Sequence, residues 1–147
     1  MLFRVLLFLF LSVSVCHVQA QQPKLTPAEI QAKVNAGNRL AKSGEYAKAE
    51  AELTAVIIQD SKNARAYKLR GHIYYAQGNF RRALSDLDRV VKLVPDHPNA
   101  LVDRAIVHSM LGHHGLALAD AEKALELKPD SHFAQAVRKK ILELAVE

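Results

Sequence analysis

The chain has 147 residues and a formal net charge of +5; half of its residues are apolar and 24% are charged. This length accommodates one domain or a short repeat array, and the apolar fraction suffices for a hydrophobic core. The single cysteine, Cys16, excludes a disulfide framework and a cysteine-based zinc site. The sequence contains no glycine-rich phosphate-binding loop. Basic and acidic residues are interleaved, so no nucleic-acid partner is predicted.

Residues 1–20 have the pattern of a secretory signal peptide. Arg4 precedes an uncharged, largely apolar run at residues 5–15, and a small residue, Ala20, stands at the cleavage position. We expect cleavage between Ala20 and Gln21 and therefore a periplasmic or secreted protein. The alternative is a retained membrane anchor, but the run is shorter than the roughly 20 residues that span a bilayer. No membrane span is predicted after the leader.

A period of 34 residues organises the rest of the chain. Gly44, Gly78 and Gly112 recur at the fifteenth place of three consecutive blocks, and an alanine recurs at the twentieth. Pro95 and Pro129 stand near the ends of the second and third blocks. Such a fixed period is typical of stacked helical repeats. The blocks are residues 30–63, 64–97 and 98–131, without insertions or deletions between them.

Each block has the pattern of two helices separated by a turn. In the second block, apolar residues at helical spacing lie on both sides of Gly78 and end at Pro95. Gly78 permits the left-handed backbone conformation that ends a helix. The small residues Gly71 and Ala83 predict a close approach of the two helices, because larger side chains would push them apart.

The two ends of the array carry helix signals of their own. Thr26 and Glu29 form a capping-box pattern around Pro27, so the first helix is predicted to begin near Thr26. Residues 21–29 are accordingly a lead and the start of this helix. Residues 132–147 are predicted to form a helix that caps the array with a polar face. Together these patterns predict seven helices and an all-α fold.

The block pattern resembles that of the tetratricopeptide repeat (TPR) family. The resemblance implies a short right-handed α-solenoid of three helix-turn-helix repeats followed by a C-terminal capping helix. It also implies that the first helix of each repeat lines a concave groove that binds a peptide segment or a partner helix, without chemistry of its own. The best-matching residues are those of the middle block, Tyr67, Arg70, Gly71, Tyr74, Ala83, Leu87, Val90 and Pro95.

The groove-lining places of the family, transferred to this sequence, combine a basic and hydrogen-bonding middle with an apolar patch. A segment with acidic and hydrophobic residues is the expected ligand. The alternatives are a solvated helix face for Arg65 and Lys68 and packing against a neighbouring helix for Val102 and Ile106. Because His72 faces the groove, binding is expected to respond to mildly acidic pH. The predicted peptide-binding residues are Asn38, Lys42, Arg65, Lys68, His72, Tyr75, Val102, Ile106 and Met110.

One TPR subtype binds the C-terminal carboxylate of chaperones through a clamp of Lys, Asn, Asn, Lys and Arg. The corresponding places here hold Val34, Asn38, Leu69, Asn99 and Asp103. Only Asn38 matches, and the carboxylate of Asp103 would repel that of the ligand. We therefore expect no carboxylate clamp.

The remaining polar residues predict neither a metal site nor catalysis. The repeat register accounts for the three clustered histidines, which are His108, His113 and His114. Asp88 and Asp120 are interpreted as partners of Lys92 and Lys123 in ordinary surface ion pairs. No nucleophile–base pair or carboxylate pair has suitable spacing, so no cofactor is predicted and the protein is expected not to be an enzyme.

Two functions from different classes remain open on the sequence. The first is an exported module that binds a segment of another protein in its groove. The alternative is a structural or assembly subunit of an envelope complex that associates with copies of itself, since three repeats are close to the minimum for a stable array.

Overall fold

The computed structural model describes residues 23–146. The predicted signal peptide and its cleavage site lie outside this range. Within it, the secondary structure consists of seven α-helices and no strands, in agreement with the predicted all-α fold. No helix of this range has both the length and the apolarity that crossing a membrane requires. The helices are α1 (Pro27–Lys42), α2 (Tyr46–Gln59), α3 (Ala64–Ala76), α4 (Phe80–Leu93), α5 (Pro98–Met110), α6 (His114–Leu127) and α7 (His132–Leu144).

The first helix begins with the predicted capping box. The side chain of Thr26 accepts a hydrogen bond from the backbone N–H of Glu29 at 3.3 Å, and the Glu29 carboxylate accepts one from the Thr26 backbone N–H at 2.7 Å. The bond from the Thr26 backbone lowers the pKa of Glu29. At the other end of the array, the Ser131 side chain caps α7 by accepting from the Ala134 N–H. Both helix starts are therefore set by local sequence.

A glycine with a left-handed backbone connects the helices of each pair. The φ angles of Gly44, Gly78 and Gly112 are 80°, 73° and 76°, a region that side-chain-bearing residues rarely adopt. The three turns therefore have the same conformation, as their common place in the 34-residue period predicts.

The seven helices form a stack of pairs. Each helix packs against the next one along the chain, α1 also contacts α3, and α5 also contacts α7. The first helices of the pairs are α1, α3 and α5, and α7 follows them in the same 34-residue register. α3 and α5 begin at the first residues of the second and third predicted blocks, while the exact repeat boundaries stay a prediction.

Small residues allow the two helices of a pair to approach closely. A Cβ atom added at Gly37 would lie 2.7 Å from Leu53 Cγ, and one added at Gly71 would lie 3.3 Å from Leu87 Cγ. Opposite them, an alanine of each second helix is completely buried, namely Ala49, Ala83 and Ala117. Glycine and alanine recur at these places of the period because larger side chains would not fit between the two closely packed helices.

Two arginines join the helix pairs through contacts that the sequence reading did not predict. Arg70 on α3 donates to both carboxylate oxygens of Asp86 on α4, each at 2.8 Å, and to the Thr54 hydroxyl on α2 at 3.0 Å. Arg70 therefore connects its own helix pair, α3 and α4, with α2 of the preceding pair. The hydrogen bonds to Asp86 raise the pKa of Arg70.

Arg104 on α5 repeats this arrangement and corrects two expectations. It donates to Asp120 on α6 at 2.7 Å and 2.7 Å, and to Asp88 on α4 at 3.0 Å. Asp120 is only 7% exposed. The predicted surface ion pairs of Asp88 and Asp120 with lysines of their own helices were therefore wrong, because both carboxylates are occupied by an arginine 16 residues away in sequence.

Candidate functional site

The surface formed by α1, α3 and α5, which we call the groove, carries most of the predicted peptide-binding residues. Lys42, Arg65 and His72 are exposed, and Tyr75 and Met110 are exposed by 37% and 48%. Partly buried residues of the same set are Asn38, Lys68 and Ile106. Eight of the nine predicted residues therefore retain surface that a ligand can contact.

Val102 is the exception. Only 1% of this residue is exposed, because it packs with Leu101, Ala124 and Ala134 between α5, α6 and α7. The sequence left two alternatives for Val102, contact with a ligand or packing against a neighbouring helix. The structure supports packing. Val102 is not available to a ligand and does not belong to the groove surface.

Asp103 of α5 contacts Lys68 and His72 on α3. Its Oδ2 atom lies 3.5 Å from Lys68 Nζ and 3.1 Å from His72 Nε2. Neither contact is a well-formed hydrogen bond, since Oδ2 is buried without a hydrogen-bond partner of suitable geometry. From the sequence, Asp103 was recognised only as a residue that does not fit the carboxylate clamp. The structure shows that it offsets positive charge in the middle of the groove.

A cavity of about 130 Å³ opens beside this contact, between α3 and α5. The exposed ring of Tyr75 stands at this cavity and also contacts Phe80, with ring centroids 5.6 Å apart. Three of its six lining residues are aliphatic and a fourth is the tyrosine, so the cavity suits an apolar group. Its lining residues are His72, Tyr75, Leu87, Asp103, Ile106 and Val107.

A second cavity, of about 250 Å³, lies toward the beginning of α3 and α5. Its floor is apolar and its rim is basic, and none of its lining residues is acidic. Arg65 on this rim is exposed and forms no ion pair or side-chain hydrogen bond with any residue of the range 23–146. The lining residues are Ala64, Arg65, Lys68, Val90, Val94, His97 and Ala100.

The places of the chaperone carboxylate clamp do not assemble a cation site. Val34 is 1% exposed and belongs to the core of the first helix pair, and Leu69 packs against that core. Asp103 carries a negative charge where the clamp has an arginine. These positions agree with the prediction that the groove lacks a carboxylate clamp, which itself stays a prediction.

Of the three clustered histidines, only His108 is buried among the helices, whereas His113 is exposed. His108 is 8% exposed, and its Nδ1 atom lies 3.4 Å from Nδ1 of His113. Burial lowers the pKa of His108. Over the range 23–146, no group of three potential metal ligands comes together.

A third cavity lies outside the groove. It measures about 650 Å³ and is formed by the outer face of α2 together with Pro23 and Leu25 of the lead. Ala47, Ala51 and Ile58 give that face its apolar character, and Ile58 is 71% exposed. The sequence reading did not single out this surface.

Comparison with known sequences identifies the family. Two models of the tetratricopeptide repeat match, one over residues 71–141 and one over residues 40–100, and together they cover more than half of the chain. The chain belongs to the tetratricopeptide repeat family. It is also 35% identical over 74 residues to DnaJ homolog subfamily C member 3 of Gallus gallus, a match that covers 50% of this chain but only 15% of that relative.

Solved structures show the same fold. The first TPR domain of human RPAP3 superposes with a TM-score of 0.77 at 26% identity, covering 82% of this chain and 95% of that one. The second TPR domain of human RPAP3, in complex with the HSP70 peptide SGPTIEEVD, gives 0.74 at 25% identity, covering 78% and 96%. The first TPR of Spaghetti (RPAP3), bound to the HSP90 peptide SRMEEVD, gives 0.78 at 24% identity, covering 86% and 100%.

Proposed function

We propose that the protein is an exported, non-catalytic interaction module that binds a segment of a partner protein in the groove. The observation that carries this proposal is the pair of apolar-walled cavities that open along α3, one beside exposed Arg65 and one beside exposed Tyr75. Concave, largely apolar cavities with a few fixed polar groups are typical of binding sites. The similarity to a TPR domain solved with a bound peptide supports the same mode of action.

The proposed setting is the periplasm or the extracellular space. It is supported by residues 1–20, where a single basic residue precedes an apolar run and a small residue occupies the cleavage position. The partner is accordingly proposed to be another envelope or secreted protein rather than a cytosolic chaperone.

The absence of catalysis is part of the proposal. Within residues 23–146, groups with shifted pKa values occur at exposed helix starts and between packed helices rather than in the groove. Those at the helix starts are Glu29, Glu45 and Lys48. Those between packed helices are Arg70, Tyr74, Arg104 and His108. Their shifts are accounted for by structural ion pairs, hydrogen bonds and burial. They therefore support a structural role and supply no acid–base pair for a reaction.

Photocrosslinking in cells tests the proposal. A photoreactive amino acid at position 75 lies in the groove, and a matched probe at Arg81 lies on the exposed side of α4. We expect a foreign protein to be captured from position 75 and not from position 81, with the crosslinked segment identified by mass spectrometry. Capture of the chain itself from position 75 would instead favour the self-associating subunit, and equal capture from both positions would contradict a groove-directed function.

A further inference from the structure

We propose that the groove selects an extended segment with two aliphatic side chains three residues apart, the one nearer the beginning of α3 flanked by an acidic residue. This inference rests on the proposed function and specifies the ligand of the same site. It follows from the spacing of the two cavities, from the polar contact between them and from the charge of their rims.

The two cavities are arranged along α3 at a defined spacing. Arg65 and Lys68 line the larger cavity, and His72 and Tyr75 line the smaller one, so equivalent lining residues are seven positions apart. At about 1.5 Å per residue, this spacing is about 10 Å along the helix axis. An extended polyproline-II-like segment rises about 3.1 Å per residue and has three residues per turn. Its side chains at i and i+3 therefore share one face and lie about 9 Å apart, which matches the cavities.

Each cavity has an apolar floor of a size that suits one anchoring side chain. Val90, Val94 and Ala100 contribute to the larger floor. Leu87, Ile106 and Val107 contribute to the smaller one. Burial of an aliphatic side chain in each cavity removes apolar surface of both molecules from water, which provides the main driving force for binding.

The contact of Lys68 and His72 with Asp103 lies between the two cavities and favours an extended ligand. Both basic side chains bridge from α3 toward α5 at this point. An extended backbone has unpaired carbonyl oxygens that can accept from such polar groups. In a helical ligand the backbone carbonyl groups accept hydrogen bonds within the helix. Only the side chains of such a ligand could then interact with Lys68 and His72. We therefore favour the extended form over a helix with anchors at i and i+7.

The charge of the rims differs between the cavities and distinguishes the two anchors. Arg65 and Lys68 line the larger cavity, and none of its lining residues is acidic. A carboxylate next to the anchor in this cavity is complementary to the positive rim. At the smaller cavity the carboxylate of Asp103 is offset by Lys68, so the residues beside the anchor in that cavity are expected to be neutral.

The test is a selection of random octapeptides on protein purified from cells that express the full chain. We expect the enriched peptides to carry Asp or Glu next to one of two aliphatic residues spaced by three. Fluorescence anisotropy then measures the best peptide and its derivatives. Replacing either anchor by Ala is expected to weaken binding at least tenfold, and replacing the acidic residue by Gln about fivefold.

Protein variants connect these effects with the two cavities. Arg65→Ala is expected to weaken the binding of the acidic peptide about fivefold. Its effect on the binding of the Gln derivative is expected to be much smaller. Tyr75→Ala is expected to weaken the binding of both peptides. Arg81→Ala removes an exposed arginine outside the groove and is expected to leave the binding of both peptides unchanged. A different spacing among the enriched peptides, or an equal effect of Arg65→Ala on both peptides, would overturn the inference.

The same experiment separates failure of this inference from failure of the proposed function. If the enriched peptides lack the pattern but Tyr75→Ala still weakens their binding, the groove binds peptides and only the inferred ligand is wrong. If the enriched peptides bind equally to the wild type and to the Arg65→Ala/Tyr75→Ala double variant, or if none is enriched, both the inference and the proposed function are contradicted.

Discussion

Arg104 and Asp120 form a bidentate ion pair, 2.7 Å at each oxygen, that repeats the Arg70–Asp86 pair one period of 34 residues later. In both pairs an arginine of a first helix reaches an aspartate of the second helix and also a residue of the preceding pair. Neighbouring helix pairs are therefore joined by polar contacts of the two arginines as well as by apolar packing. Substitution of either arginine is expected to lower the stability of the fold.

Replacing Arg104 by Ala is expected to destabilise the protein by about 3 kcal/mol, because Asp120 would remain buried without its partner. Urea unfolding followed by circular dichroism measures this effect. The matched control is Arg81→Ala, which removes an exposed arginine and is expected to change the free energy of unfolding by less than about 0.5 kcal/mol. Equal stability of the two variants would show that the Arg104–Asp120 pair contributes nothing.

Gly37→Ala is expected to destabilise by about 1–3 kcal/mol, because the new methyl group would lie 2.7 Å from Leu53 Cγ in a fully buried part of the core. Gly115→Ala has the opposite expectation. Apart from the neighbouring residues and backbone of its own helix, no atom lies within 4 Å of a Cβ at Gly115, so the substitution should stabilise α6 by up to about 1 kcal/mol. Thermal unfolding of the two variants checks both signs, and destabilisation by Gly115→Ala alone would contradict this reading of the packing.

The stability of the fold is expected to depend on the protonation of His108. Burial lowers the pKa of His108 in the folded protein below its ordinary value of 6.5, so the unfolded chain binds more protons at this residue. Its contribution to the free energy of unfolding is therefore constant above the ordinary pKa and decreases as the pH falls below 6.5.

The variant His108→Tyr tests this dependence, because tyrosine occupies the equivalent place, position 74, in the second repeat. Urea unfolding between neutral and acidic pH should show a smaller loss of stability for this variant than for the wild type. His132→Gln, at an exposed position, is the control and should retain the wild-type dependence. An unchanged slope in His108→Tyr would be evidence against the role assigned to His108.

The hydroxyl of Tyr74 is expected to titrate well above the ordinary pKa of tyrosine, 10.0. Burial and its 2.7 Å hydrogen bond to Glu50 raise the pKa of Tyr74 to about 12. Ultraviolet titration should show an ionisation step near pH 12 that corresponds to one tyrosine. The Tyr74→Phe variant should lack that step and, with it, a hydrogen bond worth about 1 kcal/mol. If the step persists in Tyr74→Phe, another tyrosine is responsible for it.

The groove is expected not to recognise a chaperone C-terminus through its carboxylate. The peptide SRMEEVD, to which the first TPR of Spaghetti is bound, should bind no more tightly than the same peptide with an amidated C-terminus. The reason is that Val34 and Leu69 pack in the first helix pair and Asp103 is negatively charged. Isothermal titration calorimetry measures both peptides, and a clear preference for the free carboxylate would contradict this prediction.

The local features of the fold could be predicted from the sequence because single residues determine them. The capping box at Thr26 and the left-handed conformation of Gly78 depend on residues no more than three positions away. The place of Gly71 follows from the period and from its lack of a side chain. Such short-range rules, repeated three times in register, were sufficient for the all-α repeat architecture.

The features that the sequence did not reveal depend on which helices meet. Arg104 and Asp120 are 16 residues apart and lie on different helices, so the spacing rules for one helix could not pair them. Val102 has the pattern of a groove residue, but Ala134 and the rest of α7 pack close enough to bury it. The contact of Asp103 with Lys68 likewise depends on how α5 lies against α3.

The proposed function depends above all on binding of a partner segment to the groove formed by α1, α3 and α5. The most direct measurement is amide chemical-shift mapping of the ¹⁵N-labelled protein with the segment identified by crosslinking. The account predicts that the largest changes fall on α3 and α5, around Arg65, His72, Tyr75 and Ile106, and that the exposed side of α4 around Arg81 and Ser85 is unchanged. Changes confined to the exposed sides of α2 and α4 would contradict it.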